Sequence, residues 1–487
     1  MKYLLALLSG VLLGIPFVIY DLALLSWIAL IPFFFAIEGV TRKKAFFLGW
    51  VMGICFFVLN GYWLLYPLTE FSGFPMVVNL FLFLLVVIIL ALFIAAFSVI
   101  LKSITNHNNY FLILVAPVIW TAIEFIRTLL PIQYYFAFLG YSQSFISQLV
   151  QLAHYGGVYI ITFLIVLFNV LLYLAIKKNK LRYALLGILL FGILFSYGQW
   201  QINRPLEKER EINISVIQPN IAQEIKMSSE HQSEVREKII ELSEEEIAKN
   251  EPELVVWPET AILRSYNKDS KFPYLLNDDT PLLVGGFLRD ETGGNLNSSL
   301  LINSENDIIE YYSKMNLVPF GEYTPFSDYM PDVLSTVMGN LLPGEQKQSF
   351  DLNGITLSTP ICSEILDPFF IRDLQNDNDV ITTIANEAWF QDSNLPVQMI
   401  QASIFRAVEN RSPVVKSGNT GISAFINENG EVIKETEAFT EGALNYTLAI
   451  NDDQRGLYKI IGDSFGFLNL VLFGGIILLS ILKNKEE

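Results

Sequence analysis

Eight apolar stretches divide this chain, and their placement constrains its fold more than any other feature. They run over residues 3–20, 22–37, 45–66, 76–101, 110–130, 158–176, 181–199 and 461–482, seven ahead of a polar segment and one behind it. A helix needs about 20 mostly apolar residues to cross the hydrocarbon of a bilayer, where no water can satisfy a broken backbone. Each stretch is therefore expected to span a membrane, and the first pair has the weakest boundary because only Asp21 divides it. Met1 and Lys2 before an apolar run resemble a secretory signal, but no small-residue cleavage pattern follows and further spans do. An uncleaved first helix is expected.

Composition agrees with this division. Of 487 residues, 52% are hydrophobic and 17% charged, which excludes a wholly soluble, disordered or collagen-like chain. The formal charge of −17 conceals two dissimilar parts: residues 1–200 carry 10 basic and 4 acidic side chains, residues 201–460 carry 20 and 42. Three parts are expected: a seven-helix transmembrane domain over 1–200, a soluble domain over 201–460, and a final helix with a short tail over 461–487. An acidic surface repels phosphate polyanions, so nucleic acid is not an expected partner.

Lys and Arg in short loops set orientation. The loops with Arg42, Lys43 and Lys44, with Lys102, and with Lys177, Lys178, Lys180 and Arg182 are basic, as is the tail with Lys483 and Lys485. These are expected to be cytoplasmic. The opposite loops, around Asp21, 67–75 and 131–157, lack Lys and Arg, and the acidic domain falls on their side. It is expected to face outward, away from the cytoplasm. Within the fifth stretch, Glu124 and Arg127 lie three residues apart on one helix face. A structural pair near the helix end is favoured over a polar pathway or lipid headgroup contact. His154 falls in an outward loop and is assigned no chemistry.

From Glu211 the pattern changes to short β-branched runs broken by turn residues. Strands are expected at 212–217, 254–257, 282–284, 298–302, 355–357, 380–384, 414–415 and 422–426, with helices over 223–250 and 396–411. This is an α/β domain. Gly293-Gly294 and Asn429-Gly430 read as turns, with no phosphate-loop pattern around them.

The chain has two cysteines, Cys55 inside a span and Cys362 alone in the outward domain, so they are not expected to pair. Cys362 follows a strand-like run, and strand ends in α/β sheets are where active sites collect. It is a candidate nucleophile; the alternative is a buried small hydrophobe. A thiol needs a base to take its proton or a cation to favour the thiolate. His231 lies in an acidic helical stretch, which leaves a carboxylate and a lysine. Glu259 stands at the tip of the run Leu254-Val255-Val256-Trp257-Pro258-Glu259, where the proline helps stop the strand. Lys314 precedes the sparsely charged stretch Met315-Asn316-Leu317-Val318-Pro319-Phe320-Gly321-Glu322-Tyr323. Any one of these could be a surface charge taken alone.

Together, Val256-Trp257-Pro258-Glu259, Lys314 with Leu317-Val318-Pro319-Phe320-Gly321-Glu322-Tyr323, and Pro360-Ile361-Cys362-Ser363-Glu364 resemble the Glu, Lys and Cys motifs of the nitrilase, or carbon-nitrogen hydrolase, superfamily, in order and at roughly 50-residue spacing. More narrowly, Gln218-Pro219-Asn220-Ile221, Asn386-Glu387-Ala388-Trp389-Phe390, Arg406-Ala407-Val408-Glu409 and Asn419-Thr420-Gly421-Ile422-Ser423 resemble bacterial apolipoprotein N-acyltransferases. So do Gly140-Tyr141-Ser142-Gln143 and the seven-plus-one helix arrangement. Met227, Ser363 and Phe136 depart from the pattern, standing where that family commonly has Trp, Tyr and Trp.

The resemblance implies an α-helical transmembrane bundle of about eight spans plus an α/β nitrilase-like αββα sandwich. It implies Glu259 as general base, Lys314 as electrostatic stabiliser and Cys362 as nucleophile, and no cofactor or metal. Glu322 is expected to orient Lys314, and Ser363 to lend a backbone N–H to the oxyanion. Glu364 is either a site member or a structural ion pair. Trp389, Phe390 and Met227 are candidate substrate contacts. The implied reaction moves an acyl chain from a membrane phospholipid to Cys362 as a thioester, then to the N-terminal amine of a diacylglyceryl-cysteine apolipoprotein. A monomer is expected. The alternative is a membrane-tethered amidase acting on a small amide; a transporter is disfavoured because no repeat is evident, and an inert binding module because the triad positions are intact.

Overall fold

The structure, a computed structural model, describes residues 1–104, 111–131, 133–205, 208–228, 230–272, 276, 279–325, 340–451 and 456–486. Tyr110 and the side chains of Lys483 and Lys485 lie outside the described residues. Two compact units emerge, Met1–Arg204 with Gly456–Glu487, and Pro205–Arg455.

Among the described residues of the first unit, six apolar stretches form helices long and apolar enough to cross a membrane: Arg42–Phe71, Met76–Ile104, Phe111–Thr128, Ala153–Lys178, Leu181–Ile202 and Ser464–Leu482. The other two stretches, expected as full spans, give the shorter apolar helices Lys2–Phe17 and Tyr20–Ala36. Proline, which fixes φ and has no N–H, marks the interruptions. Pro16 falls where Lys2–Gly14 tightens into the 3₁₀ turn Ile15–Phe17, and Pro32 lies in the first turn of Ile31–Ala36. Side chains from elsewhere complete the interrupted backbone: Phe33 N donates to Ser9 Oγ and Leu30 N to Asn169 Oδ1, each at 2.9 Å, and Asn169 Nδ2 donates to Ser26 O at 2.9 Å. An apolar setting demands such partners, because no water can replace them.

Glu124 and Arg127 serve the loop that follows their helix. Glu124 accepts from Trp120 Nε1 and Leu139 N at 2.9 Å and from Thr162 Oγ1 at 2.8 Å. Arg127 Nη2 donates to Ala137 O at 3.2 Å, with its guanidinium over the Phe57, Tyr134 and Phe138 rings. The same loop carries Gln143, which accepts from Trp27 Nε1 at 2.8 Å and donates to Ala23 O at 2.9 Å.

The second unit contains thirteen described strands: β1 (Lys208–Gln218), β2 (Leu254–Val256), β3 (Ser265–Tyr266), β4 (Leu282–Arg289), β5 (Asn295–Ile302), β6 (Ile308–Ser313), β7 (Ser349–Leu352), β8 (Ile355–Ser358), β9 (Val380–Ala385), β10 (Val414–Gly418), β11 (Ala424–Ile426), β12 (Val432–Glu435) and β13 (Gly442–Asn451). One sheet has the order β13-β1-β2-β4-β5-β6 with β3 beside β4; the other runs β12-β11-β10-β9-β8-β7. Parallel neighbours β1, β2 and β4 in the first, and β8, β9 and β10 in the second, carry their carboxyl ends to one region. The sheets face each other: Ser417 Oγ on β10 donates to Ile217 O on β1 at 3.3 Å. Helix Gln232–Asn250 covers the first sheet, and helices Pro368–Gln375 and Leu395–Asn410 cover the second. The result is an αββα sandwich.

Burial explains the strands that alternation does not. All six side chains of β9, Val-Ile-Thr-Thr-Ile-Ala, are buried, because both faces of a central strand are covered. Ile217, Ile239, Val255, Trp257, Val284 and Leu300 form the core under the first helix layer, each worth roughly 1.5–3 kcal/mol on burial. The expected helix over 223–250 is two, Gln223–Met227 and Gln232–Asn250, since Ser228 leaves helical backbone at φ −78°, ψ 121°. Strands β3, β6, β7, β12 and β13 were not expected; β12, with Lys434 and Glu435, is an exposed edge whose charges hide its pairing.

Small residues let two spans approach in the first unit. A Cβ on Gly53 would stand 2.9 Å from Ala91 Cα, and one on Gly49 would stand 1.9 Å from Ser98 Oγ, so helices Arg42–Gly61 and Met76–Ile104 touch backbone to backbone. Gly53→Leu should therefore force them apart and lower the thermal unfolding midpoint in detergent by several degrees, a cost of about 1–3 kcal/mol. Gly192→Leu, where a side chain meets open space, should leave the midpoint where it is.

Candidate active site

The first sheet delivers Glu259. Beyond β2, Trp257 N donates to Leu283 O and Trp257 Nε1 to Ser243 Oγ, both at 2.8 Å, so the strand end is fixed before the chain turns at Thr260, φ +50°. The adjacent strand must have glycine at 285: a Cβ there would stand 2.5 Å from Glu259 Cα. Glu259 is 6% exposed. Its Oε1 accepts from Asn297 Nδ2 at 2.7 Å, and its Oε2 from the backbone N of Asn386 at 2.9 Å. One carboxylate thus receives a donor from each sheet.

Lys314 follows β6 and is 1% exposed. Its Nζ donates to Glu322 Oε1 at 2.8 Å and lies 3.8 Å from Glu259 Oε1. Glu322 is held in turn by Val318 N at 2.7 Å and Asn297 Nδ2 at 3.1 Å. Burial pulls the ammonium down, but the charges of Glu322 and Glu259 outweigh it and hold Lys314 above its ordinary value.

The second sheet delivers Cys362. After β8, Ile361 bridges to Ile384, and Cys362 takes φ +53° as the first residue of the 3₁₀ turn Cys362–Leu366. Left-handed backbone at a non-glycine residue carries strain and marks functional turns. Cys362 and Ser363 are half-buried. Glu364 ties this turn to the lysine segment: its Oε1 accepts from Tyr312 Oη and Met315 N at 2.8 Å and from Asn316 N at 3.1 Å, and its Oε2 from Ile361 N at 2.8 Å.

Electrostatics join the three groups. Burial pushes the Cys362 thiol well above its ordinary value, the Glu259 charge adds to this, and Lys314 pulls it back. Burial likewise raises Glu259, with Lys314 opposing. The resting sulfur therefore keeps its proton, and the nearby carboxylate is a better base than a solvated one. Such a pair can ionise sulfur as a bond forms, by moving the proton to Glu259.

The remaining candidates lie differently. Trp389 and Phe390 are half-buried in the turn Glu387–Phe390 directly after Asn386, and Met227 is 61% exposed at the end of helix Gln223–Met227. Sequence reasoning did not single out Asn297, whose place on β5 resembles one polar position of an ordinary half-solvated strand. Nor did it identify the buried pair Lys416 and Glu387, in which Lys416 Nζ donates to Glu387 Oε1 and, at 2.8 Å, to Ile422 O. Gly421 makes room for that pair, since a Cβ there would stand 2.3 Å from Glu387 Cδ. Among the described residues no group of three or more His, Cys, Asp or Glu side chains is arranged to hold a metal ion.

Glu364 has a pH signature. Burial pushes its carboxyl from 4.5 up to about 7, against the pull of the Ile361 N–H and the Lys314 charge. Between these values the native state holds more protons than the unfolded state, so this contribution is complete below 4.5 and lost as pH rises through about 7. Glu364→Gln should make the melting temperature less pH-dependent from about pH 5 to pH 8. It should also lower that temperature throughout, since an amide nitrogen facing Ile361 N cannot accept its hydrogen bond. Thermal melts at several pH values check both.

Residues 9–171 match the apolipoprotein N-acyltransferase N-terminal domain, and residues 213–455 match the carbon-nitrogen hydrolase domain. The chain is 31% identical to the apolipoprotein N-acyltransferase of Geobacter metallireducens, across 96% of this chain and 92% of that protein. It is 29% identical to that of Aquifex aeolicus, across 90% and 98%. Among solved structures, a nitrilase-superfamily protein of Saccharomyces cerevisiae covers 50% of this chain and 91% of its own at 17% identity and a TM-score of 0.39. With both domains matched in order and a relative aligned over nearly its full length, the chain belongs to the apolipoprotein N-acyltransferase family.

Proposed function

We infer that Cys362 carries the acyl chain as a thioester between two half-reactions, with Glu259 as general base and Lys314 as the cation facing developing negative charge. The observation that carries this reading is the convergence of Glu259, Lys314 and Cys362 in a chain that also has, among its described residues, six helices suited to a bilayer. In the first half, Glu259 takes the thiol proton as sulfur attacks an ester carbonyl of a phospholipid. Lys314 and a backbone N–H near Ser363 stabilise the oxyanion. The proton then leaves with the lysophospholipid alkoxide. In the second half, the N-terminal amine of a diacylglyceryl-cysteine apolipoprotein attacks the thioester, and sulfur departs.

Membrane attachment gives this chemistry its substrates. Acyl chains hold lipids in the bilayer by about 0.8 kcal/mol per buried CH₂, so neither donor nor acceptor leaves readily. The basic loops at Arg42–Lys44 and Lys177–Arg182 support a cytoplasmic side for that end of the helices, and an outward side for the catalytic unit. Glu322 positions Lys314, and Glu364 positions the Cys362 turn; both act through a neighbour. Trp389, Phe390 and Met227 supply apolar surface for the acyl chain and for keeping water from the thioester.

Phospholipid with a labelled acyl chain should leave a hydroxylamine-sensitive label on Cys362, and a diacylated lipopeptide should then remove it as an amide. Glu259→Gln should slow loading by roughly 10²–10⁴-fold. Label released by water at the same rate with or without lipopeptide would instead favour the amidase reading.

A further inference from the structure

A second lysine lies beside the base. Lys226, in helix Gln223–Met227, is 2% exposed, and its Nζ donates to the backbone O of Glu259 at 2.9 Å. Its own carbonyl accepts from Gln232 Nε2 at 2.7 Å, which fixes the backbone that carries it. Among the described residues no carboxylate oxygen lies within 4.0 Å of this nitrogen. That distinguishes it from Lys314 and Lys416, each of which touches a glutamate.

An ammonium has three donors to satisfy and pays a large desolvation cost, whereas a neutral amine has two donors and a free lone pair. One backbone carbonyl suits the neutral form. The titratable groups facing Lys226 are Glu259 beyond β2, Glu387 beyond β9 and the Cys362 thiol beyond β8. Burial outweighs their upward pull and brings the ammonium down to about 7.

The second half-reaction has a proton that Glu259 alone does not absorb. An α-ammonium has a pKa of about 7.7–8.0, so the acceptor arrives largely protonated near neutral pH. It must lose one proton to become a nucleophile and a second after attack. We propose that Lys226 is a further catalytic residue, the base that takes the first of these protons from the acceptor's N-terminal ammonium. The inference rests on the thioester reading above. Proton transfer converts the ammonium to amine and Lys226 to its ammonium. The amine then attacks, the C–N bond forms and the C–S bond breaks. Glu259 takes the second proton and returns it to sulfur, regenerating the thiol and the carboxylate, and Lys226 releases its proton to solvent.

The test separates loading from transfer in the full-length protein in detergent with mixed phospholipid. Cys362 is loaded with a labelled acyl chain, and the label is followed after a diacylated lipopeptide is added. Lys226→Gln keeps a donor for Glu259 O without a titrating group, and Lys226→Arg keeps the donor with a fixed charge. In both variants transfer near pH 7 should fall at least about tenfold more than loading does, and the deficit should shrink as pH rises past the acceptor's own pKa. A lipopeptide ending in an alkoxyamine, which is neutral near pH 7, should restore transfer in either variant. Equal losses in both steps, or transfer with the wild-type pH profile, would overturn the assignment. Wild-type protein that never takes label on Cys362 would overturn the thioester reading itself, and this inference with it.

Discussion

The Lys314 ammonium, enclosed between Glu322 at 2.8 Å and Glu259 at 3.8 Å, is the interaction on which the rest of the α/β unit depends. At an effective dielectric of about 20, two unit charges about 4 Å apart attract by about 4 kcal/mol, while an unpaired buried charge is far more costly. The carboxylates are therefore usable only because each is supplied with donors: Asn297 bridges Glu259 and Glu322, and backbone N–H groups of Asn386 and Val318 reach their outer oxygens. Removing any one donor leaves a charge in a dry place. That is why the site needs two sheets. A single sheet end would offer Glu259 the Asn297 amide but not the Asn386 N–H beyond β9.

The same accounting explains the second buried cluster. Lys416 and Glu387 neutralise one another where β9 and β10 end, so the site wall on that side adds little net field. The Cys362 thiol still feels Glu387, but through a charge already paired. Lys314 is left as the cation that opposes the carboxylates near sulfur, and Glu364 holds Met315, Asn316 and Ile361 on one carboxylate so that the lysine segment and the cysteine turn keep their separation.

Much of this was legible in the sequence because it is written in local signals. Long apolar runs announce spans, and a strand-like run ending in Trp257-Pro258-Glu259 announces a carboxylate at a strand tip. What was not legible depends on distant partners. Residues 3–20 and 22–37 are apolar enough to suggest full spans, yet Ser9 and Asn169 supply the acceptors that let the second of them break. Glu124 and Arg127 have the spacing of a helix pair, but each also makes a hydrogen bond to the loop from Ala137 to Leu139. Asn297 sits in a polar run that resembles a solvated strand face, and Lys226 follows Glu224 in a short helix that resembles charged surface. Burial in both cases comes from chain far away in sequence, which no local pattern records.

A protonated resting thiol also suits the compartment proposed for this unit. Oxidation of cysteine follows thiolate character and exposure. A lone cysteine kept as thiolate on the outward side of a membrane would be exposed to disulfide exchange and to oxidants, with no second cysteine in its unit to form a reversible disulfide. Burial and the Glu259 charge keep the Cys362 proton in place, and half-burial limits access. In the mechanism proposed above, the sulfur becomes nucleophilic only when a carbonyl is positioned to accept it, with proton transfer to Glu259 and charge build-up near Lys314 occurring together. That mechanism couples reactivity to substrate, because the features that keep the thiol unreactive at rest are those it uses in the bound complex.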